Sequence, residues 1–182
     1  KGPNIMKGYY KMEEATREAM DGEWFKTGDI GHIDQDGFLV ITDRKKDLIV
    51  TAGGKNVAPQ PIENILKTNP YISNVVVVGD MRKFISALVI PNYEKLVEYA
   101  TFNKIPFDAP EDLAKNEQVI QFLEAEIDRI TPQLANYEKV KKIILLEREF
   151  EIEKGEMTPS LKVKRNIVEQ KYKEMIDKIY QE

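Results

Sequence analysis

The chain has 182 residues, and its content of 42% hydrophobic and 32% charged residues is typical of a folded globular protein rather than a disordered one. It contains no cysteine and a single histidine, His32, which excludes disulfides and thiolate metal sites and argues against a Ser-His-Asp triad. The net charge of −4 argues against a nucleic-acid-binding protein.

Residues 1–43 are rich in turn signals. A short helix is predicted over 12–20, and the runs WFKT, IGHI and FLVIT predict three strands. Gly28-Asp29 separates the first two strands, and DQDG separates the last two as a hairpin turn. The stretch therefore predicts a β meander that is too small to hold a hydrophobic core alone.

Residues 44–182 alternate predicted strands and helices. The runs LIVT, NVVVV, ISALVI and KKIILLE predict strands, because β-branched residues favour extended chain. Helices are predicted from the spacing of apolar residues and from caps: after Pro61, over 93–103, over 117–130, and at the C-terminal end, where Asn166 and Glu169 form a capping-box pattern. The stretch predicts a compact α+β domain that follows a charged linker, DRKKD, at 43–47.

Two residues of the first stretch have the chemistry to bind a nucleotide. The carboxylate of Asp29 can accept hydrogen bonds from both hydroxyls of a ribose, although an Asx turn is the more frequent use of aspartate in a Gly-Asp turn. The guanidinium of Arg44 offers donors for ribose or phosphate oxygens, and the alternative is a solvated charge cluster with Lys45 and Lys46.

Two further segments of the second stretch are candidates. Gly53-Gly54 follows a predicted strand, and it serves either a turn or the passage of a thin substrate where a Cβ would block it. The segment TPSLKVKR places a rigid turn before Lys162, Lys164 and Arg165, which either neutralise phosphate or protect a strand edge.

The order of five motifs is more specific than any one of them. GPNIMKGYY, WFKTGDIG, DRKKD, TAGGKNVAP and MTPSLKVKR together resemble the C-terminal third of the adenylate-forming enzymes, which include acyl-CoA synthetases and adenylation domains. TAGGKNVAP and TPSLKVKR are most similar to long-chain fatty acid–CoA ligases. The resemblance implies an α+β fold, with a mobile C-terminal domain over 44–182 in which a short mixed sheet packs with helices. Its hinge linker is 43–47, and residues 1–43 are the β-rich end of a large N-terminal AMP-binding domain.

The resemblance also implies the reaction. Family members make acyl-adenylate and pyrophosphate from a carboxylate and MgATP, and then transfer the acyl group to CoA with release of AMP. ATP, Mg²⁺ and CoA are therefore the implied cofactors or co-substrates. No metal site is implied within this chain, because the Mg²⁺ motif of the family belongs to the N-terminal domain.

The motifs assign roles by position. Asp29 matches the residue that holds the ribose hydroxyls, Ile41 an apolar residue against the adenine, and Arg44 an arginine near ribose and phosphate. Lys162 matches the lysine that reaches the α-phosphate and the carboxylate during adenylation.

The resemblance further implies that the small domain turns between the two half-reactions. Lys46 matches the hinge position, and Gly53 and Gly54 match the loop that lines the pantetheine path after the turn. Lys55 is assigned to a phosphate of CoA or of the nucleotide. The chain departs from many relatives at two positions: Lys46 replaces an aspartate, which bears on the balance of orientations, and Leu161 replaces a glycine, which bears on the reach of Lys162.

The chain opens on Lys1 without a recognisable domain start, so we expect a piece of a longer protein that is inactive alone and works with an N-terminal AMP-binding domain. The sequence indicates a cytoplasmic protein and leaves peripheral membrane contact open. Two alternatives stay open: an adenylation domain that activates amino acids or other carboxylates, and a non-catalytic α+β module that binds phosphate or protein. Acyl chain length and oligomeric state cannot be read from these residues.

Overall fold

The computed structural model describes residues 1–181, and it divides into two units, Lys1–Asp47 and Leu48 onward. Within the described residues, no helix is both long enough and apolar enough to cross a membrane.

The first unit consists of a short helix and two β-hairpins. Its elements are α1 (Glu13–Ala19), β1 (Met20–Asp21), β2 (Trp24–Phe25), β3 (Asp29–Ile33), β4 (Leu39–Arg44) and a 3-10 helix (Lys45–Asp47). β1 pairs with β2 and β3 with β4, both antiparallel. The predicted hairpin turn is confirmed: the Asp34 carboxylate accepts from the backbone N–H groups of Asp36 and Phe38. Asp43 is the only buried residue among 1–47, so this unit has no apolar core of its own.

The second unit is built on a mixed three-stranded sheet. Its elements are β5 (Ile49–Val50), β6 (Asn56–Val57), α2 (Pro59–Leu66), β7 (Ile72–Val78), β8 (Ser86–Pro91), α3 (Tyr93–Phe102), a 3-10 helix (Pro110–Lys115), α4 (Glu117–Ile130), β9 (Lys142–Leu145), α5 (Arg165–Lys171) and α6 (Lys173–Gln181). The sheet order is β7-β8-β9, with β7 antiparallel and β9 parallel to β8. The predicted α+β class is confirmed.

Both faces of this sheet are buried, as its continuous apolar strands require. Side chains alternate across a strand, so Val75 and Val77 enter one core with α2, α3 and α4, while Val76 and Val78 enter a second core. The second core contains Val168 and Ile176 of the C-terminal helices. Tyr172, Ile179 and Tyr180 pack against this core, whereas Ile167 and Met175 of the same helices are 38% and 43% exposed.

Two local predictions are wrong. The C-terminal helix begins at Arg165 rather than after Asn166, its N-cap is Lys164 without a side-chain cap, and it is interrupted at Tyr172. Asp29 is the first residue of β3 rather than part of a turn. In the first case the side chain of Arg165 is fixed by a distant ion pair, which a local capping pattern does not record.

Candidate functional site

A β-bulge in the first unit places three predicted nucleotide residues on one face. In the β3–β4 register, Asp29 lies opposite Arg44 and Gly31 lies opposite Ile41, with the shift between Ile30 and Gly31. Asp29 and Gly31 share a face because they are two residues apart, and directly opposite residues of an antiparallel pair share a face as well. Arg44 and Ile41, three residues apart, therefore face the same side only because the bulge inserts one extra residue.

Asp29 and Arg44 form an exposed ion pair on that face. The Nε atom of Arg44 lies 3.3 Å from Oδ1 of Asp29, with the arginine side chain 59% and the aspartate 27% exposed. A pair this open contributes at most about 1 kcal/mol to folding. It leaves a carboxylate and a guanidinium side by side and accessible to a polar ligand.

Ile41 is an exposed apolar side chain beside this pair. It is 54% exposed, and its partner is Gly31. A Cβ at Gly31 would lie 2.4 Å from the carbonyl oxygen of Val40, so only glycine fits there. The face thus presents an apolar surface open on one side, next to a charged pair.

Lys46 lies in the 3-10 helix Lys45–Asp47, and its side chain is exposed. The two units separate directly after Asp47. The hinge role of Lys46 stays a prediction.

The loop of residues 51–55 in the second unit, which we call the glycine loop, is a closed turn between β5 and β6. The backbone N–H of Thr51 donates to the Lys55 carbonyl at 3.0 Å, and that of Gly54 donates to the Thr51 carbonyl at 2.8 Å. Gly54 has φ +72°, a region that favours glycine, whereas Gly53 does not. A Cβ at Gly53 would meet only Thr51 Oγ1, at 3.9 Å, so the fold itself does not require glycine there.

Lys55 ends the glycine loop with an exposed side chain. Its Nζ lies 5.8 Å from the centre of the Tyr137 ring, within the range of a cation–π contact. The ammonium remains accessible to an anion.

Lys162 lies in a turn that connects Met157 and Val163, which form an isolated antiparallel β-bridge. We call residues 156–165 the Lys162 hairpin. The N–H of Leu161 donates to the carbonyl of Thr158 at 2.9 Å, and the N–H of Lys162 donates to Thr158 Oγ1 at 3.0 Å. The side chain of Lys162 is exposed at this turn, which suits contact with a ligand.

Leu161 has a backbone conformation that favours glycine. Its φ is +59°, and its side chain is 68% exposed, so packing does not compensate the strain. Leu161 is the last residue of the three-residue loop 159–161, where a left-handed conformation is usual and glycine is preferred.

Leu161→Gly is therefore expected to raise the free energy of unfolding by about 1 kcal/mol, because the steric cost of the left-handed conformation disappears. Urea unfolding measures the change. Ser160→Gly is the control, since Ser160 does not have a positive φ. Its replacement increases the flexibility of the unfolded chain and removes the hydrogen bond between the hydroxyls of Ser160 and Thr158, so it is expected to lower the free energy of unfolding. Equal effects of the two variants would contradict the strain at Leu161.

Sequence reasoning missed the groups that hold the Lys162 hairpin. Arg165, considered above as a phosphate ligand, instead donates to Glu63 at 2.6 Å, and this pair is largely buried. Glu156 is fully buried, and its carboxylate forms ion pairs with both Arg148 and Lys171. No local pattern marks Glu63 or Glu156, because their partners are brought to them by the tertiary fold.

The Arg148 hydrogen bonds lower the pKa of Glu156 from 4.5 to about 2, against the opposing effect of burial. A carboxyl whose pKa is lower in the folded than in the unfolded state stabilises the fold above pH 5, and that contribution is lost as the pH falls toward 2.

Glu156→Gln is therefore expected to lower the free energy of unfolding at pH 7 by about 2–3 kcal/mol, and the difference from wild type is expected to shrink toward pH 2. Urea unfolding at several pH values measures this. Glu126→Gln is the control, because Glu126 also pairs with an arginine, but the side chain of that arginine, Arg129, is 65% exposed and Glu126 itself is only partly buried. A difference that does not depend on pH would contradict the assignment.

Among residues 1–181, no group of three or more His, Cys, Asp or Glu side chains is arranged to hold a metal ion. The sequence model of the family described as "AMP-binding enzyme C-terminal domain" matches residues 46–182, which are three quarters of the chain. The chain belongs to this family.

Relatives of this AMP-binding enzyme C-terminal domain extend the match to nearly the whole chain. The long-chain-fatty-acid–CoA ligase FadD15 of Mycobacterium tuberculosis is 41% identical over 181 residues, which cover 99% of this chain and 30% of the relative. The adenylation domain of a carboxylic acid reductase from Segniliparus rugosus, solved with AMP and a co-purified carboxylic acid, superposes with a TM-score of 0.82 at 28% identity. That match covers 100% of this chain and 27% of the reductase chain.

The O-succinylbenzoate coenzyme A synthetase MenE from Bacillus subtilis, solved with ATP and magnesium, superposes with a TM-score of 0.61 at 28% identity, over 91% of this chain and 28% of MenE. The chain thus spans about three tenths of the length of the relatives it matches.

Proposed function

We propose that this chain forms the C-terminal part of an AMP-forming long-chain fatty acid–CoA ligase. In the first half-reaction a fatty acid carboxylate oxygen attacks the α-phosphorus of ATP, and the bond to pyrophosphate breaks. In the second, the CoA sulfur attacks the acyl carbon, its proton passes to solvent, and the bond to AMP breaks. The name and 41% identity of the mycobacterial relative support this substrate class.

The observation that carries the proposal is the common face of the β3–β4 hairpin. There the Asp29 carboxylate can accept both ribose hydroxyls, and Arg44 can donate to ribose or phosphate oxygens. Ile41 offers its exposed apolar surface to the adenine ring. The charged pair and the apolar surface together match the ribose and the adenine ring of a nucleoside.

Lys162 serves adenylation in this proposal. Negative charge grows on the oxygens around the α-phosphorus as the carboxylate attacks, and a positioned ammonium stabilises that charge. The exposed turn of the Lys162 hairpin suits a side chain that must reach a ligand held by another domain.

The glycine loop serves thioester formation. Gly53 needs no special backbone conformation, so its lack of a side chain is better explained by a thin substrate passing close to the loop. Lys55 then offers its ammonium to a phosphate of CoA or of the nucleotide. The linker at 43–47, with Lys46 at the hinge, turns the unit so that Lys162 and the glycine loop act in different half-reactions.

The partner in this proposal is an N-terminal AMP-binding domain of the same enzyme, which would hold the acyl chain and Mg²⁺. The chain's residues supply a lysine, a loop and a nucleoside face, but catalysis also requires the substrates to be held together. We therefore propose that the chain alone is inactive. We place the enzyme in the cytoplasm, where ATP and CoA are available, with peripheral membrane contact where lipid substrates reside.

The test uses the complete enzyme with MgATP, palmitate and CoA, and it measures palmitoyl-CoA and AMP. Formation of both in equal amounts supports the proposal. Pyrophosphate exchange that depends on an amino acid, without exchange on palmitate, would instead indicate an amino-acid-activating domain. No exchange with any carboxylate would indicate a non-catalytic binding module.

A further inference from the structure

The backbone of the Lys162 hairpin is held internally by hydrogen bonds between its two sides. The N–H of Thr158 donates to the Lys162 carbonyl at 2.8 Å, and the N–H of Lys164 donates to the Glu156 carbonyl at 2.8 Å. These bonds fix the shape of the turn, but they do not fix its direction relative to the sheet. What orients the hairpin must lie at its two ends.

Glu156 anchors the first end of the hairpin. Its carboxylate, 0% exposed, accepts from Arg148 at 2.6 and 2.8 Å, from Lys171 at 2.8 Å and from the Glu151 N–H at 3.0 Å. Bidentate charge-assisted bonds of this kind fix direction as well as position. Arg148 precedes the hairpin and Lys171 belongs to α5, so the end of the hairpin is held by segments on both sides of it.

Arg165 anchors the second end. It donates to the Glu63 carboxylate at 2.6 Å and to the Val77 carbonyl at 2.5 Å, and its side chain is 16% exposed. Glu63, with a side chain 6% exposed, also accepts from the Val77 N–H at 2.8 Å. Burial raises the pKa of Glu63, against the lowering effect of Arg165.

The second anchor also links the two candidate loops. Glu63 belongs to α2, which begins four residues after Lys55 at the end of the glycine loop. Arg165 follows Lys162 by three residues. One ion pair therefore joins the helix that leaves the glycine loop to the helix that leaves the Lys162 hairpin.

We propose that Glu156 and Arg165 are positioning residues, which orient Lys162 for adenylation and hold it in a fixed relation to the glycine loop. Replacing buried ion pairs by apolar residues often costs a protein no stability, so such pairs are a poor device for stability alone and a better one for specifying geometry. What Lys162 does once it is positioned rests on the proposed function.

The experiment compares Glu156→Gln with Glu126→Gln in the complete enzyme. Three quantities are measured: hydrogen exchange in peptides covering residues 157–164, the rate of ATP–pyrophosphate exchange, and the rate of thioester formation from preformed acyl-adenylate. Lys171→Met is the milder second variant, because it leaves the Arg148 bonds to Glu156 in place. Arg165→Met is compared with the conservative Arg165→Lys.

For Glu156→Gln we expect hydrogen exchange of the hairpin to be about tenfold faster, because its anchored end opens more often. Misplacement of Lys162 by about 1 Å is expected to slow ATP–pyrophosphate exchange by about 100-fold, with thioester formation little changed. Lys171→Met is expected to change hydrogen exchange and pyrophosphate exchange in the same directions as Glu156→Gln, but by less. Arg165→Met is expected to slow pyrophosphate exchange, and Arg165→Lys is expected to retain part of the rate that Arg165→Met loses. Glu126→Gln is expected to leave all three measurements as in wild type.

Equal losses in both half-reactions, or hairpin exchange as slow as in wild type, would overturn the proposal. If Glu156→Gln does not fold, Lys171→Met decides by the same criteria. Lys162→Ala separates the two proposals: if it leaves pyrophosphate exchange intact, the adenylation role of Lys162 falls, and with it the catalytic part of the positioning claim. Faster hydrogen exchange in Glu156→Gln would then still support the anchor itself.

Discussion

Lys162→Ala in the complete enzyme is expected to slow ATP–pyrophosphate exchange with a long-chain fatty acid by about 100- to 1000-fold, since an ammonium that meets growing negative charge is lost. Thioester formation from preformed acyl-adenylate and CoA is expected to change by less than about threefold, because an interaction used in one step affects only that step. The exposed position of Lys162 argues that the fold is not disturbed.

The control for this variant is Lys178→Ala, which removes an exposed lysine from α6 with the same change of charge. It should leave both half-reactions at wild-type rates. If Lys162→Ala lowered both half-reactions equally, a shared role or a folding defect would replace the adenylation role. No loss in either would mean that the family lysine has been matched to the wrong residue.

Gly53→Val is expected to have the opposite selectivity. It should slow thioester formation by about 100-fold, because side-chain atoms would misplace or exclude a thin substrate beside the loop. Pyrophosphate exchange should remain near wild type. A Cβ at Gly53 has only one neighbour, at 3.9 Å, so the variant tests the substrate path with little effect on the fold.

The comparison with Gly54→Val separates space from backbone strain. Gly54 has φ +72°, so its variant adds strain as well as bulk and should unfold at lower urea concentration than Gly53→Val. If Gly53→Val left thioester formation unchanged, the loop would serve only as a turn. Loss of pyrophosphate exchange in Gly53→Val would indicate that the loop also takes part in the first half-reaction.

The elements that could be predicted from sequence are those fixed by local preference. In β7 and β8 the runs of valine and isoleucine favour extended chain, and in α4 the apolar residues recur at helical spacing. Few other local structures would bury these side chains. The helix predicted over 117–130 has those bounds in the structure. The last helix was placed wrongly at its start, because Arg165 is fixed by Glu63, a residue 102 positions away.

The chemistry of single residues and the resemblance together identify the candidate residues, but they do not predict how those residues are arranged. That Asp29, Ile41 and Arg44 share one face depends on a β-bulge, in which Thr42 is the extra residue. Gly31 on the facing strand is a local sign of it, but a glycine inside a strand marks a close approach of another backbone as often as a bulge. The anchors of the Lys162 hairpin are likewise contacts between distant segments. Composition records which charges a chain has, and only the tertiary fold decides which of them pair.

The ion pair of Glu63 and Arg165 has a consequence for solubility. β7 is an edge strand, and its run of four consecutive valines is the kind of segment that adds to strands of other molecules. The outward N–H and carbonyl of Val77 are both occupied by this pair, and the N–H of Val75 by the Asn74 side chain. The same arginine that fixes the Lys162 hairpin therefore also occupies a backbone group of β7 to which a strand of another molecule would otherwise hydrogen-bond.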